Sequence, residues 1–131
     1  MKPLFLTSFF FLIPVYSYIL NQKYSLLETI IIISLICNFI LSCFFWYDTQ
    51  KNTLIHKIDA FMARITFIFI FINLIFFKEF NYLTYSLIVE LLALIYSSHI
   101  TSTLKWYSED HIFYHGLFHF LGALTCTFIL L

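Results

Sequence analysis

The sequence predicts an all-α protein, a polytopic bundle of five transmembrane helices that forms one domain over residues 1–131. Three observations predict this fold. Of the 131 residues, 62% are hydrophobic and 11% are charged, whereas soluble domains are about half apolar and about a quarter charged. Two glycines and two prolines leave little material for turns. The apolar runs are continuous, without the alternation of polar and apolar residues that barrel strands need.

Five apolar runs follow one another along the chain, each near the ~20 residues that a helix needs to cross the hydrocarbon core. They cover residues 4–20, 29–47, 60–77, 82–98 and 111–131. The first run has the basic start of a signal peptide in Lys2, but no convincing small-residue cleavage site follows it. We therefore interpret it as a helix interrupted by Pro14. No linker, repeat or low-complexity segment separates the runs, which predicts one domain.

The loops divide the lysines unequally between the two faces of the membrane. Five crossings place the N-terminus and the loops at residues 48–58 and 99–110 on one face, which we call the first side. The first side carries Lys2, Lys51, Lys57 and Lys105, and the other side carries Lys23 and Lys78. The positive-inside rule therefore predicts an integral multi-pass membrane protein with a cytoplasmic N-terminus. Zero net charge argues against a nucleic-acid partner.

Three of the five histidines lie on the last run at four-residue spacing: His111, His115 and His119. Each such step turns only ~40° beyond a full helical turn, so the three side chains share one face. Gly122 and Cys126 continue this face with small side chains. His119 lies ~12 Å inside the helix, where an unpaired polar group is costly. A preference of histidine for the membrane interface therefore explains His119 poorly.

Polar or small residues also recur along one face of the three central runs. They are Ser34, Asn38, Ser42 and Trp46 in the second run, Asp59, Ala63, Thr66 and Asn73 in the third, and Ser86, Glu90, Ala93 and Ser97 in the fourth. In lipid, such residues mark the faces that pack against other helices. We expect these faces to meet the histidine face in a polar interior that opens toward the first side. Arg64 lies off the Asp59 face, which favours snorkelling to the interface over an ion pair with Glu90.

Ser42, Asp59 in HKIDAF, and His115 and His119 in YHGLFHFLGA together resemble the CREST superfamily, which includes the alkaline ceramidases and the progestin/adiponectin receptor family. Members of that superfamily are seven-helix membrane proteins in which three histidines bind Zn²⁺ and a serine and an aspartate support the zinc-bound water. The resemblance covers about a quarter of the chain and implies a zinc cofactor. The chain departs from the pattern in having five helices, and in having Trp46 at the first histidine position, four residues after Ser42.

A catalytic zinc needs three protein ligands and one open position. His115 and His119 supply two at helical spacing, and His56 is the nearest candidate for the third. If the third helix begins early, His56 and Asp59 lie within ~60° of each other around it. Asp59 is the alternative third ligand, which would leave His56 to support it. His111 and His99 are weaker candidates.

Two functions follow from this reading. The first is a zinc-dependent hydrolase of an amide or ester bond in a lipid, with Asp59 as the base and Ser42 orienting water or the oxyanion. Its partners are membrane lipids, one of them the substrate. The second is a non-catalytic membrane protein, either a relative that retains the fold or a small subunit of a larger membrane complex. Trp46 favours the second function, and the clustering of His56, Asp59, His115 and His119 favours the first. If the chain is a shortened member of the zinc family, Trp46 is expected to face the polar interior beside His115 and His119. The alternative is an aromatic-belt tryptophan at the end of the second helix.

Overall fold

A computed structural model of the chain is helical throughout its regular structure, and the part it describes contains five helical segments long and apolar enough to cross a membrane. The predicted all-α five-helix fold is thereby confirmed. The structure describes residues 2–21, 25–47, 52–106 and 108–131. Lys23 and Lys51, two of the lysines on which the orientation prediction rests, lie outside the described residues.

The first crossing segment is not one continuous α-helix. It consists of α1 (Lys2–Thr7), a 3₁₀ turn (Ser8–Phe11) and α2 (Leu12–Asn21). Pro14 explains the interruption, because its nitrogen cannot donate to the carbonyl four residues earlier and its ring crowds that carbonyl. The tighter 3₁₀ turn lies immediately before this point.

Four longer helices complete the fold: α3 (Leu26–Tyr47), α4 (Leu54–Phe76), α5 (Tyr82–Leu104) and α6 (Glu109–Leu130). All four begin at a capping side chain. Ser25, Thr53, Asn81 and Ser108 each accept a hydrogen bond from the backbone N–H three residues later, which satisfies a donor that the helix itself leaves open.

The helices extend beyond the apolar runs at the first side, and this corrects two expectations. α4 begins at Leu54 rather than at residue 60, and α5 ends at Leu104 rather than at residue 98. His56 and His99, which we expected before and after these helices, therefore lie inside them. Hydropathy detects only the part of a helix that faces lipid. Polar turns at the ends extend the helix further, into the membrane interface.

The helices form two pairs. α3 packs along α4, α5 packs along α6, and the first segment lies against both α3 and α6. α4 makes minor contact with α6 and scarcely touches α5 among the described residues. At the end remote from the histidines, Lys78 forms a 2.8 Å ion pair with Glu28, which ties the α4–α5 turn to the start of α3. The bundle is thus closed by the first segment on one side and open between α4 and α5 on the other.

The polar faces of α3 and α4 point inward, as predicted. Ser34, Asn38, Ser42 and Trp46 are buried on α3, and Thr66 and Asn73 are buried on α4. Asp59 and Ala63 are partly buried on the same side of α4.

The prediction for the fourth run was wrong. Ser86, Glu90, Ala93 and Ser97 are all exposed on the outer side of α5. α5 packs on α6 through the opposite face, which carries Ile88, Leu91, Ile95, Ser98 and Ser102. The orientation of α5 is therefore determined by the bulky apolar side chains and the two serines that pack on α6. The carboxyl group of Glu90 does not determine it. Arg64 is also exposed and makes no ion pair with Glu90 within the described residues.

Candidate functional site

One cavity of about 820 Å³ lies between the two helix pairs. All five residues that the sequence predicted as catalytic or metal-binding line it: Ser42, His56, Asp59, His115 and His119. They come from α3, α4 and α6, which are separated widely in sequence. The fold therefore brings the predicted site residues to one place.

Ser42 and Asp59 form a direct bridge from α3 to α4. The Ser42 hydroxyl donates a 2.8 Å hydrogen bond to Oδ1 of Asp59. Ser42 is buried, and Asp59 lies in the second turn of α4, partly exposed to the cavity. The bond fixes the orientation of the carboxyl group and leaves Oδ2 as the oxygen for another partner.

His115 and His119 stand one helical turn apart on α6, with ring centroids 4.7 Å apart and planes at 76°. The Thr7 hydroxyl lies 3.0 Å from Nδ1 of His119 and already donates its proton to the Leu4 carbonyl at 2.9 Å. With its proton on the Leu4 carbonyl, the hydroxyl accepts from His119, and Nδ1 of His119 then carries the ring proton. In the neutral ring this leaves the lone pair on Nε2, the tautomer that a metal ligand or a base requires.

Ser102 holds the other two histidines of α6. Its hydroxyl lies 3.0 Å from Nδ1 of His115 and 3.1 Å from Nδ1 of His111. Nδ1 of His111 also lies 2.7 Å from the Ser102 carbonyl. Because a carbonyl only accepts, His111 donates there. His111 is fully buried and locks the end of α5 onto the start of α6, which makes it a support for His115.

His56 is held by a different set of contacts. Its ring stacks on Phe45 with centroids 4.7 Å apart and planes 11° apart. The backbone N–H of Asn52 donates to its Nδ1 at 3.1 Å, so in the neutral ring the proton is on Nε2. Asn52 reaches this position with a positive φ of 68°, which asparagine tolerates better than most residues. His56 and Asp59 both line the cavity from the first two turns of α4.

The histidine pair fits a zinc ion. Two imidazoles bound to one tetrahedral zinc at about 2.0–2.1 Å place their ring centroids roughly 5 Å apart, close to the spacing of His115 and His119. Histidine ligands also typically donate their other ring nitrogen to a supporting group, as His119 does to Thr7. A complete set is not assembled: within the described part of the chain, no three His, Cys, Asp or Glu side chains come together closely enough to hold a metal ion.

Trp46 lies between the histidines of α6 and the first-side end of the bundle. Its side chain is buried, and its ring centroid lies 4.6 Å from that of His115 and 5.7 Å from that of His111. Trp106 packs against it at 5.9 Å. The expectation that Trp46 faces the interior beside the histidines is confirmed, and an aromatic-belt position is excluded.

The cavity changes character with depth. Its first-side half carries histidines, hydroxyls and charged groups, and its inner half is lined by Phe11, Leu35, Ile70, Leu92 and Cys126. Counted along α4 from His56 to Ile70, the cavity extends about 21 Å. Between the halves, Asn38 donates to Thr66 at 2.6 Å, while its own Oδ1 is buried with no partner among the described residues. A buried acceptor without a donor is costly, so this oxygen fits a hydroxyl, an amide or water inside the cavity.

Sequence reasoning missed Thr7 and Ser102, the two hydroxyl residues that fix the histidine rings. Thr7 lies 112 positions from its partner His119, and no local pattern reports such a contact. Ser102 was assigned to a loop because the apolar run ends earlier. Its spacing from Ser98, which continues the inner face of α5, is the one signal that would have found it.

No family model, curated protein or solved structure matches this chain. The fold and the arrangement of residues in the cavity therefore carry the functional argument.

Proposed function

We propose that this protein is a membrane-embedded, zinc-dependent hydrolase that cleaves an amide or ester bond of a lipid within the cavity. One observation carries the proposal: the five residues chosen from the sequence for this chemistry, Ser42, His56, Asp59, His115 and His119, all line one cavity. The resemblance to the CREST superfamily supports the same assignment.

His115 and His119 are the proposed zinc ligands, joined by Asp59 or His56. When bound, zinc polarises the scissile carbonyl and makes water more acidic. If His56 completes the ligand set, Asp59 takes a proton from the attacking water and returns it to the leaving nitrogen or oxygen. The water oxygen bonds to the carbonyl carbon as the C–N or C–O bond breaks. The 2.8 Å bond from Ser42 holds the carboxylate for this transfer.

The alternative third ligand is Asp59, and the contacts of His56 favour it. Stacking on Phe45 and the hydrogen bond from Asn52 hold His56 with its proton on Nε2. Oδ2 of Asp59 is not used by the Ser42 bond. In this form His56 supports the site from the adjacent turn of α4.

The proposed substrate is a lipid because of the shape of the cavity and the place where it opens. Its polar half meets the first side, its apolar half continues toward the bilayer centre, and α4 and α5 scarcely touch along its flank. An amphiphile that diffuses in the bilayer reaches such a cavity between α4 and α5. A water-soluble substrate would leave the apolar half of the cavity unfilled.

Two measurements on the purified protein test this function. The first is the zinc content of protein prepared without chelators. The second is release of fatty acid from lipids carrying amide or ester bonds, before and after zinc removal. We expect zinc-dependent hydrolysis that His115→Ala and Asp59→Asn abolish. Hydrolysis that chelation leaves unchanged would contradict the proposed chemistry.

The second candidate is a non-catalytic membrane protein, a relative that retains the fold or a small subunit of a larger complex. Two observations favour it. Trp46 occupies the position of the first family ligand, and the outer face of α5 carries Glu90 beside small residues, with no ion pair for Glu90 among the described residues. For this candidate we expect neither zinc nor hydrolysis, and we expect Glu90→Leu to weaken association with a membrane partner that co-purifies with the wild type.

A further inference from the structure

Two cationic side chains of α4 line the cavity, and neither has a partner of opposite charge in the part of the chain that the structure describes. Lys57 and Arg64 are seven residues apart, which places them on one face of the helix about 10 Å apart along its axis. Both line the cavity, and both are exposed rather than packed. Among the described residues, neither side chain forms an ion pair or a hydrogen bond. The proposed hydrolysis does not use either of them.

Their position is the flank where the bundle is open. Arg64 of α4 and His99 of α5 both line the cavity, and they lie near enough to each other to interact electrostatically. Ala60 and Ala63, two of the neighbouring cavity-lining residues of α4, have short side chains, whereas Phe61 lies on the same face between the two cations.

The one acidic residue among the described cavity-lining residues is directed elsewhere. Asp59 lies roughly 140–160° around α4 from Arg64 and Lys57, and it is engaged by Ser42 of α3. Within the described part of the chain, the cavity therefore has one acidic group, held by α3, and two cations without an ion pair on another side of α4. An unpaired guanidinium group within a membrane span is costly and marks a functional site by default.

We propose that Lys57 and Arg64 form a headgroup subsite, and that the cavity binds an amphiphile with an anionic headgroup, a carboxylate or a phosphate. Both anions suit this pair, because arginine binds planar or tetrahedral oxyanions through two parallel hydrogen bonds and lysine adds a point charge. The apolar chain of the ligand then extends past Asn38 into the inner half of the cavity. This inference rests on the proposed function only in using the same cavity, and it names the substrate class that such a hydrolase would select.

Equilibrium binding of three radiolabelled sixteen-carbon amphiphiles to the purified protein in nanodiscs tests the subsite. Palmitate carries a carboxylate, hexadecylphosphonate carries a phosphate-like group, and hexadecanol carries no charge. None contains an amide or ester bond, so binding is measured without turnover. We expect both anions, or one of them, to bind about tenfold or more tightly than hexadecanol, since a charge-assisted hydrogen bond contributes at least that much. Tighter binding of the phosphonate assigns a phosphate headgroup, and tighter binding of palmitate assigns a carboxylate.

Substitution then locates the preference. We expect the double variant Lys57→Gln/Arg64→Gln to lose the preference for the anions while it keeps its affinity for hexadecanol. Lys105→Gln is the matched control, because Lys105 is a first-side cation that pairs with Asp110 and does not line the cavity. Arg64→Lys, which retains the charge, should retain part of the preference.

Equal affinity of the wild type for hexadecanol and both anions would overturn the inference, and this result needs no variant to fold. An equal effect of Lys105→Gln would overturn it too, because the preference would then reflect surface charge. The failure of the proposed function looks different: anion preference without hydrolysis refutes the hydrolase alone. Hydrolysis of uncharged amide lipids without anion preference refutes the subsite alone.

Discussion

Ser42 on α3 donates a 2.8 Å hydrogen bond to the carboxyl group of Asp59 on α4, and this bond joins two residues that the sequence predicted to act together. It also joins two helices across the polar side of the cavity. The bond therefore has a structural role that is measurable whether or not the protein is an enzyme.

A double-mutant cycle of Ser42→Ala and Asp59→Asn measures this bond. Hydrogen bonds between membrane helices contribute about 0.6 kcal/mol on average and at most about 1.7 kcal/mol, and we expect a coupling energy in the upper part of that range because one partner is a carboxyl group. Unfolding in mixed micelles gives the four free energies. Ser34→Ala is the control, since Ser34 is a buried serine of α3 whose hydroxyl bonds the Ile30 carbonyl of the same helix. Coupling of Asp59 to Ser34 as strong as to Ser42 would mean that the cycle reports general loosening of α3.

The position of the described loops gives a test of topology. α4 and α6 begin on the same side of the bundle, so glycosylation acceptor sites inserted beside Asn52 and beside Ser108 should both be modified or both remain unmodified. An acceptor site beside Glu79, in the turn between α4 and α5, should show the opposite result. The second site is placed beside Ser108 because Thr103 lies inside α5. Modification of one of the two first-side sites without the other would contradict the five-crossing arrangement.

The interior faces of α3 and α4 were predictable because lipid offers polar groups no partner, so a polar stripe on a helix marks the side that packs. The same argument failed for α5, because Ser98 and Ser102 supply a second polar stripe and bulky contacts with α6 select that one. The carboxyl of Glu90 faces outward in consequence. The contact of Thr7 with His119 could not be predicted for a third reason: the two residues are 112 positions apart, and the docking of such distant helices leaves no local pattern in one sequence.

Thr7 gives a test of the tautomer assigned to His119. Thr7→Val removes the acceptor at Nδ1 while it keeps the side-chain volume close to that of the original. We expect the variant to lose about tenfold or more in zinc affinity, as is typical when the group that orients a histidine ligand is removed. The imidazole nitrogen shifts of ¹⁵N-histidine-labelled protein should show an Nδ1-protonated ring in the wild type. Thr29→Val is the control, because Thr29 bonds the Ser25 carbonyl away from the cavity. A wild-type His119 protonated on Nε2 would overturn the assignment.

Substitutions of His115, His119 and their neighbours in the cavity test whether the protein binds zinc. We expect close to one zinc per chain in the wild type, its loss in His115→Ala and His119→Ala, and its retention in His99→Ala, where the histidine lines the cavity from α5. His56→Ala and Asp59→Asn then identify the third ligand, because only one of them should release the metal. Retention of zinc in both pair variants would remove the metal from this site.

Trp46→His distinguishes a zinc enzyme that has lost one of its ligands from a protein that no longer has a metal site. The indole ring lies 4.6 Å from His115 and is buried, so a histidine at this position reaches the same space and completes a set of three imidazoles with His115 and His119. We expect higher zinc occupancy and affinity, measured by metal analysis and by competition with a chelator.

The smaller ring leaves a void that costs roughly 1–3 kcal/mol of stability without metal, and zinc should restore part of that loss, since binding to the folded state alone stabilises it. Trp106→His is the matched control, because Trp106 packs in the same aromatic cluster, 5.9 Å from Trp46, but does not follow Ser42 by one helical turn. Equal zinc binding by the two variants would show that any added imidazole serves, and unchanged zinc binding in Trp46→His would show that the space beside His115 belongs to an aromatic core rather than to a replaced ligand.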